Sequence, residues 1–238
     1  MKIYGKNCIA ERLKINPKSI REIFLEEGEK LSELASICKS CHIPAKHLSK
    51  KEFAREAKGI RSQGIIAEIG DFKYRGFDEF LEEAKAESPT ILFLDNLNDP
   101  QNFGSILRTA ACFGGFAVAL PKYDSVEVTE AALRVACGGE NYVPIIKVTN
   151  LSPAIDKAKE CGYWVGGAVV EGGEDLRKAK LNFPLGLVIG SEGKGIRQGL
   201  VKHLDFKLTM PLSQARLSFN ASIAAAIFCY EVSRQRPR

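Results

Sequence analysis

Residues 91–120, ILFLDNLNDPQNFGSILRTAACFGGFAVAL, read as a strand, a helix and a second strand. ILFLD and FAVAL are short apolar runs of the kind a parallel sheet buries on both faces, and the stretch from Asn102 to Phe113 between them has helical spacing. Parallel neighbours need such a crossover. The alternation continues downstream with a helix near 129–137, VPIIKV (143–148), a helix near 151–160, YWVGGAVV (163–170), LGLVIG (185–190) and FKLTM (206–210). It predicts an α/β domain whose parallel sheet is covered by helices on both faces. The closing segment SFNASIAAAIFCYEVSRQR (218–236) is Ala-rich and apolar around most of its circumference, which predicts a helix buried against the sheet or against a partner subunit.

Upstream, SIREIFLEE (19–27) and GIIAEI (64–69) predict strands, and KLSELASICKSC (30–41) and KKEFAREA (50–57) predict helices. Residues 1–75 therefore read as a small α/β domain of their own. The acidic stretch FKYRGFDEFLEEAKAESPT (72–90) carries a short amphipathic helix and a Ser88-Pro89 break, so 76–88 reads as a linker and 89–238 as the second domain. A length of 238 residues accommodates two modest domains or one large one.

Composition narrows the classes. Hydrophobic residues at 45% and charged residues at 26% fit an ordinary globular chain, not a disordered or collagenous one. No apolar run approaches the ~20 residues of a membrane helix, and the charged start MKIYGKNCIAERLKINP is unlike a signal peptide. The expectation is a soluble, cytoplasmic protein with no membrane partner. Seven scattered cysteines argue against a disulfide framework. Cys38-Lys-Ser-Cys41-His42 spells a haem-attachment string, but no second CxxC or distant ligand set accompanies it, so no metal is expected. The net charge of +5 is modest, yet Lys39, Lys46, Lys50, Lys51, Arg55, Lys58 and Arg61 stand against only Glu52 and Glu56 in 39–61. Such a run is either a solvated helix face or an RNA contact, with Lys50, Lys51, Arg55 and Arg61 as the candidate contacts.

Three polar or glycine-rich clusters follow the carboxyl ends of predicted strands, where open α/β sheets bind ligands. In the first, Asn102 either caps the helix or reaches a ligand, Gly104 leaves room for backbone approach, and Arg108 is a surface charge or a ligand contact. In the second, Gly190-Ser191-Glu192-Gly193 and Gly195 place one acid among glycines. The spacing and late position exclude a dinucleotide fingerprint. In the third, Ser218, Asn220 and Ser222 gather at a helix start, more polar groups than one cap uses. Only three histidines occur and none lies in these clusters, which leaves a Ser/His/Asp triad without support.

Together and in this order, the clusters resemble the motifs of the SpoU (TrmH) family of S-adenosylmethionine-dependent RNA ribose 2′-O-methyltransferases, within it the bacterial large-subunit ribosomal RNA guanosine enzymes. The pattern DPxNxGxxxRtA is matched by Asp99-Pro100, Asn102, Gly104, Arg108, Thr109 and Ala110; GxEGxG by Gly190, Glu192, Gly193 and Gly195; and the third motif by Pro211, Ser218 and Asn220. The chain departs from the family in carrying Ser213-Gln214 soon after Pro211, and Phe219 where leucine is usual. Residues 1–75, with Gln63-Gly64, resemble the family's RNA substrate-binding domain.

The resemblance implies a SPOUT-type sheet tied in a deep trefoil knot, a cofactor pocket at Ile189, Gly190, Gly195, Met210, Pro211 and Phe219, and a homodimer joined through the C-terminal domain. It assigns the catalytic work to Asn102, Arg108, Glu192, Ser218 and Asn220. A free guanidinium is a poor base, so Arg108 is expected to orient a phosphate and stabilise developing oxyanion charge. Ribosomal RNA is the expected substrate. The alternatives are a transfer RNA ribose methyltransferase and a non-catalytic RNA-binding or ribosome-assembly protein.

Overall fold

The computed structural model describes residues 1–29, 31–85, 87–212 and 218–237. The N-terminal part runs β1 (Lys2–Tyr4), α1 (Lys6–Ile15), β2 (Ile20–Glu26), α2 (Ser32–Ser40), β3 (Ala45–Leu48), α3 (Lys50–Ala57) and β4 (Ile65–Ile69). Its sheet has the order β1-β4-β2-β3, antiparallel except for the β2–β3 pair. The two strands and two helices expected from the sequence are present. Ser49 and Glu52 close a capping box at the start of α3, which is why the basic run turns helical there.

The remainder runs α4 (Phe77–Glu83), β5 (Thr90–Leu94), α5 (Pro100–Phe113), β6 (Phe116–Pro121), α6 (Glu130–Ala136), β7 (Ile145–Val148), α7 (Leu151–Glu160), β8 (Trp164–Val169), β9 (Glu174–Asp175), β10 (Leu185–Ile189), α8 (Gln198–Val201), β11 (Phe206–Thr209) and α9 (Ala221–Gln235). The strands form one parallel sheet in the order β7-β6-β5-β10-β8-β11-β9. Side-chain alternation sorts them onto two cores. Leu92, Leu94, Val118, Leu187 and Ile189 face α5, α6 and α9, whereas Ile91, Phe93, Ala117, Ala119 and Val188 face α4, α7 and α8.

Residues 76–88, expected as a linker, contribute α4, whose Phe77, Phe80 and Leu81 are buried in the second of those cores, Phe77 edge-on to Phe93. Just before it, Arg75 N donates to Ile145 O at 2.9 Å, so this segment lies along the β7 edge.

The first core is continuous with the N-terminal domain, because Ile3, Cys8, Ile9 and Leu13 pack with Leu133 and Ala136. Beside it lies a buried ion pair, Arg12 Nη2 to Glu140 Oε1 at 2.9 Å, with side chains 4% and 0% exposed. Glu140 sits in a 3-10 turn, Gly139–Asn141, wedged between α1 and α5. A Cβ on Gly138 would meet Glu11 Cβ at 2.6 Å, and one on Gly139 would meet Arg108 Cα at 2.9 Å. The α9 helix buries Ala225, Phe228, Cys229 and Val232 against the sheet and leaves Ile223 and Tyr230 51% and 57% exposed. Tyr230 is edge-on to the exposed Phe113 of α5. Among the described residues no helix is long and apolar enough to cross a membrane.

Candidate active site

Asn102 was expected to open α5, but the helix begins two residues earlier. Pro100 takes a first-turn position and Asp99 is the cap, accepting from Gln101 N at 2.9 Å. Asn102 is thereby freed from capping. Its Nδ2 donates to Glu192 Oε1 at 3.0 Å, and its Oδ1 accepts from Asn220 Nδ2 at 3.0 Å. Asn220 does two jobs with one amide. Its Oδ1 caps α9 by accepting from Ser222 N at 2.9 Å and Ser222 Oγ at 2.6 Å, which points its Nδ2 at Asn102 and Glu192. Glu192 Oε1 also accepts from Ala221 N at 3.2 Å, and Ser218 Oγ reaches the Glu192 carbonyl at 3.5 Å. Asn102, Glu192, Ser218 and Asn220, from three distant motifs, thus meet at the carboxyl edge of the sheet.

The loop carrying Glu192 is shaped by backbone constraints. Gly195 has φ +62° and donates its N–H to Ser191 O at 2.9 Å, folding the chain back over Gly190. A Cβ on Gly190 would lie 2.5 Å from Ile196 N and closer still to the Gly195 carbonyl, so only glycine fits. Asp95, fully buried at the end of β5, holds the loop from beneath by accepting from Arg197 N at 2.8 Å and Nε at 2.7 Å. Sequence reasoning missed this clamp, although Asp95 ends an otherwise apolar run.

Between this loop and the start of α9 opens a cavity of about 920 Å³. Of the residues assigned to the cofactor pocket, Ile189, Gly190, Gly195, Met210 and Phe219 line this cavity, and Pro211 is not among its lining residues. Ala168–Glu171 at the end of β8, Leu212 and Ala224 also line it, and sequence reasoning did not name them. Ser213 and Gln214 lie outside the described residues.

Gly104 admits a helix and not a ligand, since a Cβ there would lie 2.5 Å from the Ala132 carbonyl of α6. Arg108 does not join the cluster. Six residues beyond Asn102 on one helix is about 9 Å along the axis and 120° around it, and Arg108 is exposed with no hydrogen-bond or ion-pair partner among the described residues. Lys50, Lys51, Arg55 and Arg61 are exposed on the N-terminal domain, and none is in an ion pair among the described residues. Cys38 is buried and Cys41 half-buried at the end of α2, and no group of three metal-ligating side chains occurs among the described residues.

The SpoU rRNA Methylase family matches residues 89–230, and the family of RNA 2′-O ribose methyltransferase substrate-binding domains matches residues 2–75. The chain belongs to the SpoU family. A Staphylococcus epidermidis protein placed by its name in the TrmH family of tRNA/rRNA methyltransferases is 36% identical over 241 residues, covering 98% of this chain and 95% of the relative. The 23S rRNA (guanosine-2′-O-)-methyltransferase RlmB of Pseudomonas putida is 33% identical over 241 residues, covering 99% and 96%. Among solved structures, the SpoU methyltransferase AviRb of Streptomyces viridochromogenes in complex with AdoMet superposes with a TM-score of 0.82 at 18% identity, covering 99% of this chain and 90% of that one. The fold of this SpoU protein is therefore that of the solved SpoU methyltransferases.

Proposed function

We propose that this protein transfers a methyl group from S-adenosylmethionine to a ribose 2′-hydroxyl of ribosomal RNA in the cytoplasm. The observation that carries the reading is the Asn102–Glu192–Asn220 network at the mouth of the glycine-walled cavity. The cavity fits the cofactor in kind. Gly190 and its neighbours expose backbone, while Ile189, Met210, Phe219 and Phe228 offer apolar surface to an adenosine and to the methylene groups of a methionine chain. When bound, the cofactor supplies an electrophilic methyl on a sulfonium centre.

The protein's part is placement. Glu192 fixes both asparagine amides, and these with Ser218 orient the ribose so that its hydroxyl meets the methyl in line. Arg108 steadies the adjacent phosphate and the negative charge that develops on the ribose oxygen. Gln63-Gly64 and the basic face with Lys50, Lys51, Arg55 and Arg61 belong, in this reading, to an RNA-binding domain over 1–75, and 89–238 to the methyltransferase domain.

The protein acts as a homodimer through its C-terminal domains, with the sheet tied as a deep trefoil knot. The exposed apolar face of Phe113, Ile223 and Tyr230 supports the dimer, as does the position of Arg108 away from its own chain's cavity. The placement of β10 between β5 and β8, with α9 returning to Asn102 on α5, supports the knot. The test is calorimetry with S-adenosylmethionine. One site per chain is expected, lost in Gly190→Ala, and a wild-type protein that binds none would overturn the reading.

A further inference from the structure

The loop after β6 carries Tyr123, which at 73% exposure has no ring, hydrogen-bond or ion-pair partner among the described residues. The other exposed aromatics are accounted for. Tyr142 bonds to Glu11, Phe113 and Tyr230 lie against each other, Phe219 lines the cavity, and Trp164 stands at the opposite, amino edge of the sheet. Scattered exposed apolar side chains are ordinary, so exposure alone says little. What separates Tyr123 is that its loop is anchored on both sides and sits beside the site. Lys122 N donates to Val148 O at 2.8 Å, and Val126 N donates to Leu97 O at 2.7 Å, with Val126 and Leu97 buried in the core. The ring is held out by a fixed loop.

Sheet order places that ring. Along the carboxyl edge come β8 and the cavity, β10 leading to Glu192, β5 leading to Asn102, and β6 leading to Tyr123. Strands lie ~4.8 Å apart, so Tyr123's strand is about 10 Å from that of Glu192, a few nucleotides of stacked single strand at ~3.4 Å each. Lys122 beside it is exposed, and Glu127 further along the loop is engaged by Lys147. Unpaired RNA bases are commonly held by stacking on an aromatic ring.

We propose that Tyr123 stacks on an unpaired base of the RNA a few nucleotides from the ribose that is methylated, and so helps to select the substrate. The proposal rests on the function argued above. The experiment compares wild type, Tyr123→Ala and Tyr123→Phe on an unmodified large-subunit ribosomal RNA transcript, measuring methyl transfer and, without cofactor, filter retention of the same RNA. Tyr123→Ala should raise the KM for RNA roughly 5- to 100-fold and weaken retention similarly, leaving kcat and S-adenosylmethionine affinity unchanged. Tyr123→Phe, which keeps the ring, should match wild type. Retention and KM within twofold of wild type in Tyr123→Ala would overturn the proposal, as would a phenylalanine variant as weak as the alanine one. A wild type that retains the RNA but transfers no methyl overturns the function instead, and one that does neither overturns both.

Discussion

Removing either partner of the Arg12–Glu140 pair tests how the two domains are held together. Both side chains are essentially out of water, so Arg12→Met alone strands a carboxylate and Glu140→Leu alone strands a guanidinium. Breaking a buried pair costs about 3–5 kcal/mol. The lower end applies here, because Arg12 Nε and Glu140 Oε2 have no hydrogen-bond partner among the described residues and the pair is not fully satisfied. For a chain of this size ~3 kcal/mol corresponds to a Tm drop of roughly 6–12 °C by scanning calorimetry. The double variant removes both charges together and should melt close to wild type.

Burial pushes the Glu140 carboxyl above its ordinary value of 4.5, outweighing the lowering by Arg12. Its contribution to stability is then full below that ordinary value and declines as the pH rises through the folded-state value. The Tm gap between wild type and Glu140→Leu should be wider at acid than at neutral pH. Single variants within 2 °C of wild type, or a double variant that falls by the sum of the singles, would refute the buried-pair account.

Other consequences follow from particular contacts. Arg108→Ala should lower methyl transfer ~10²-fold or more while leaving S-adenosylmethionine affinity by calorimetry within about twofold, since Arg108 is remote from the cavity lining. Reversing Lys51 and Arg55 to Glu should flatten the salt dependence of RNA binding by about 1.5 in log–log slope if both meet phosphates, and an unchanged slope would return α3 to a solvated face. Cys8 and Cys229, whose thiols burial pushes up to about 12, should resist alkylation at pH 8 until the protein unfolds, whereas the exposed Cys112 and Cys161 react at once, as mass spectrometry would report.

Strands β5, β6 and β10 were legible because each is buried at every position, the mark of a strand covered on both faces. The elements that escaped lacked that mark. In α1, KNCIAERLKI, the charged Arg12 sits within the buried face and breaks the apolar stripe, β3 is almost wholly exposed, and β9 and α8 are only 2 and 4 residues long. The helix at 77–83 was visible, but nothing local said that its aromatic face packs on a sheet formed by later residues. Asn102, Glu192 and Asn220 could be singled out by composition at strand ends and by the family resemblance. Their supports could not, because Asp95 and Arg197 lie 102 residues apart in sequence, and Arg12 and Glu140 lie 128 apart.

The reaction is defined by the atom that receives the methyl group. Incubating the wild-type protein with methyl-labelled S-adenosylmethionine and an unmodified large-subunit ribosomal RNA transcript, then digesting the RNA and separating nucleosides by mass spectrometry, identifies that atom directly. Label is expected in a 2′-O-methylated nucleoside, and is lost in Glu192→Ala and Asn220→Ala. Label on a base, or no label from a protein that binds the cofactor, would contradict the proposed function.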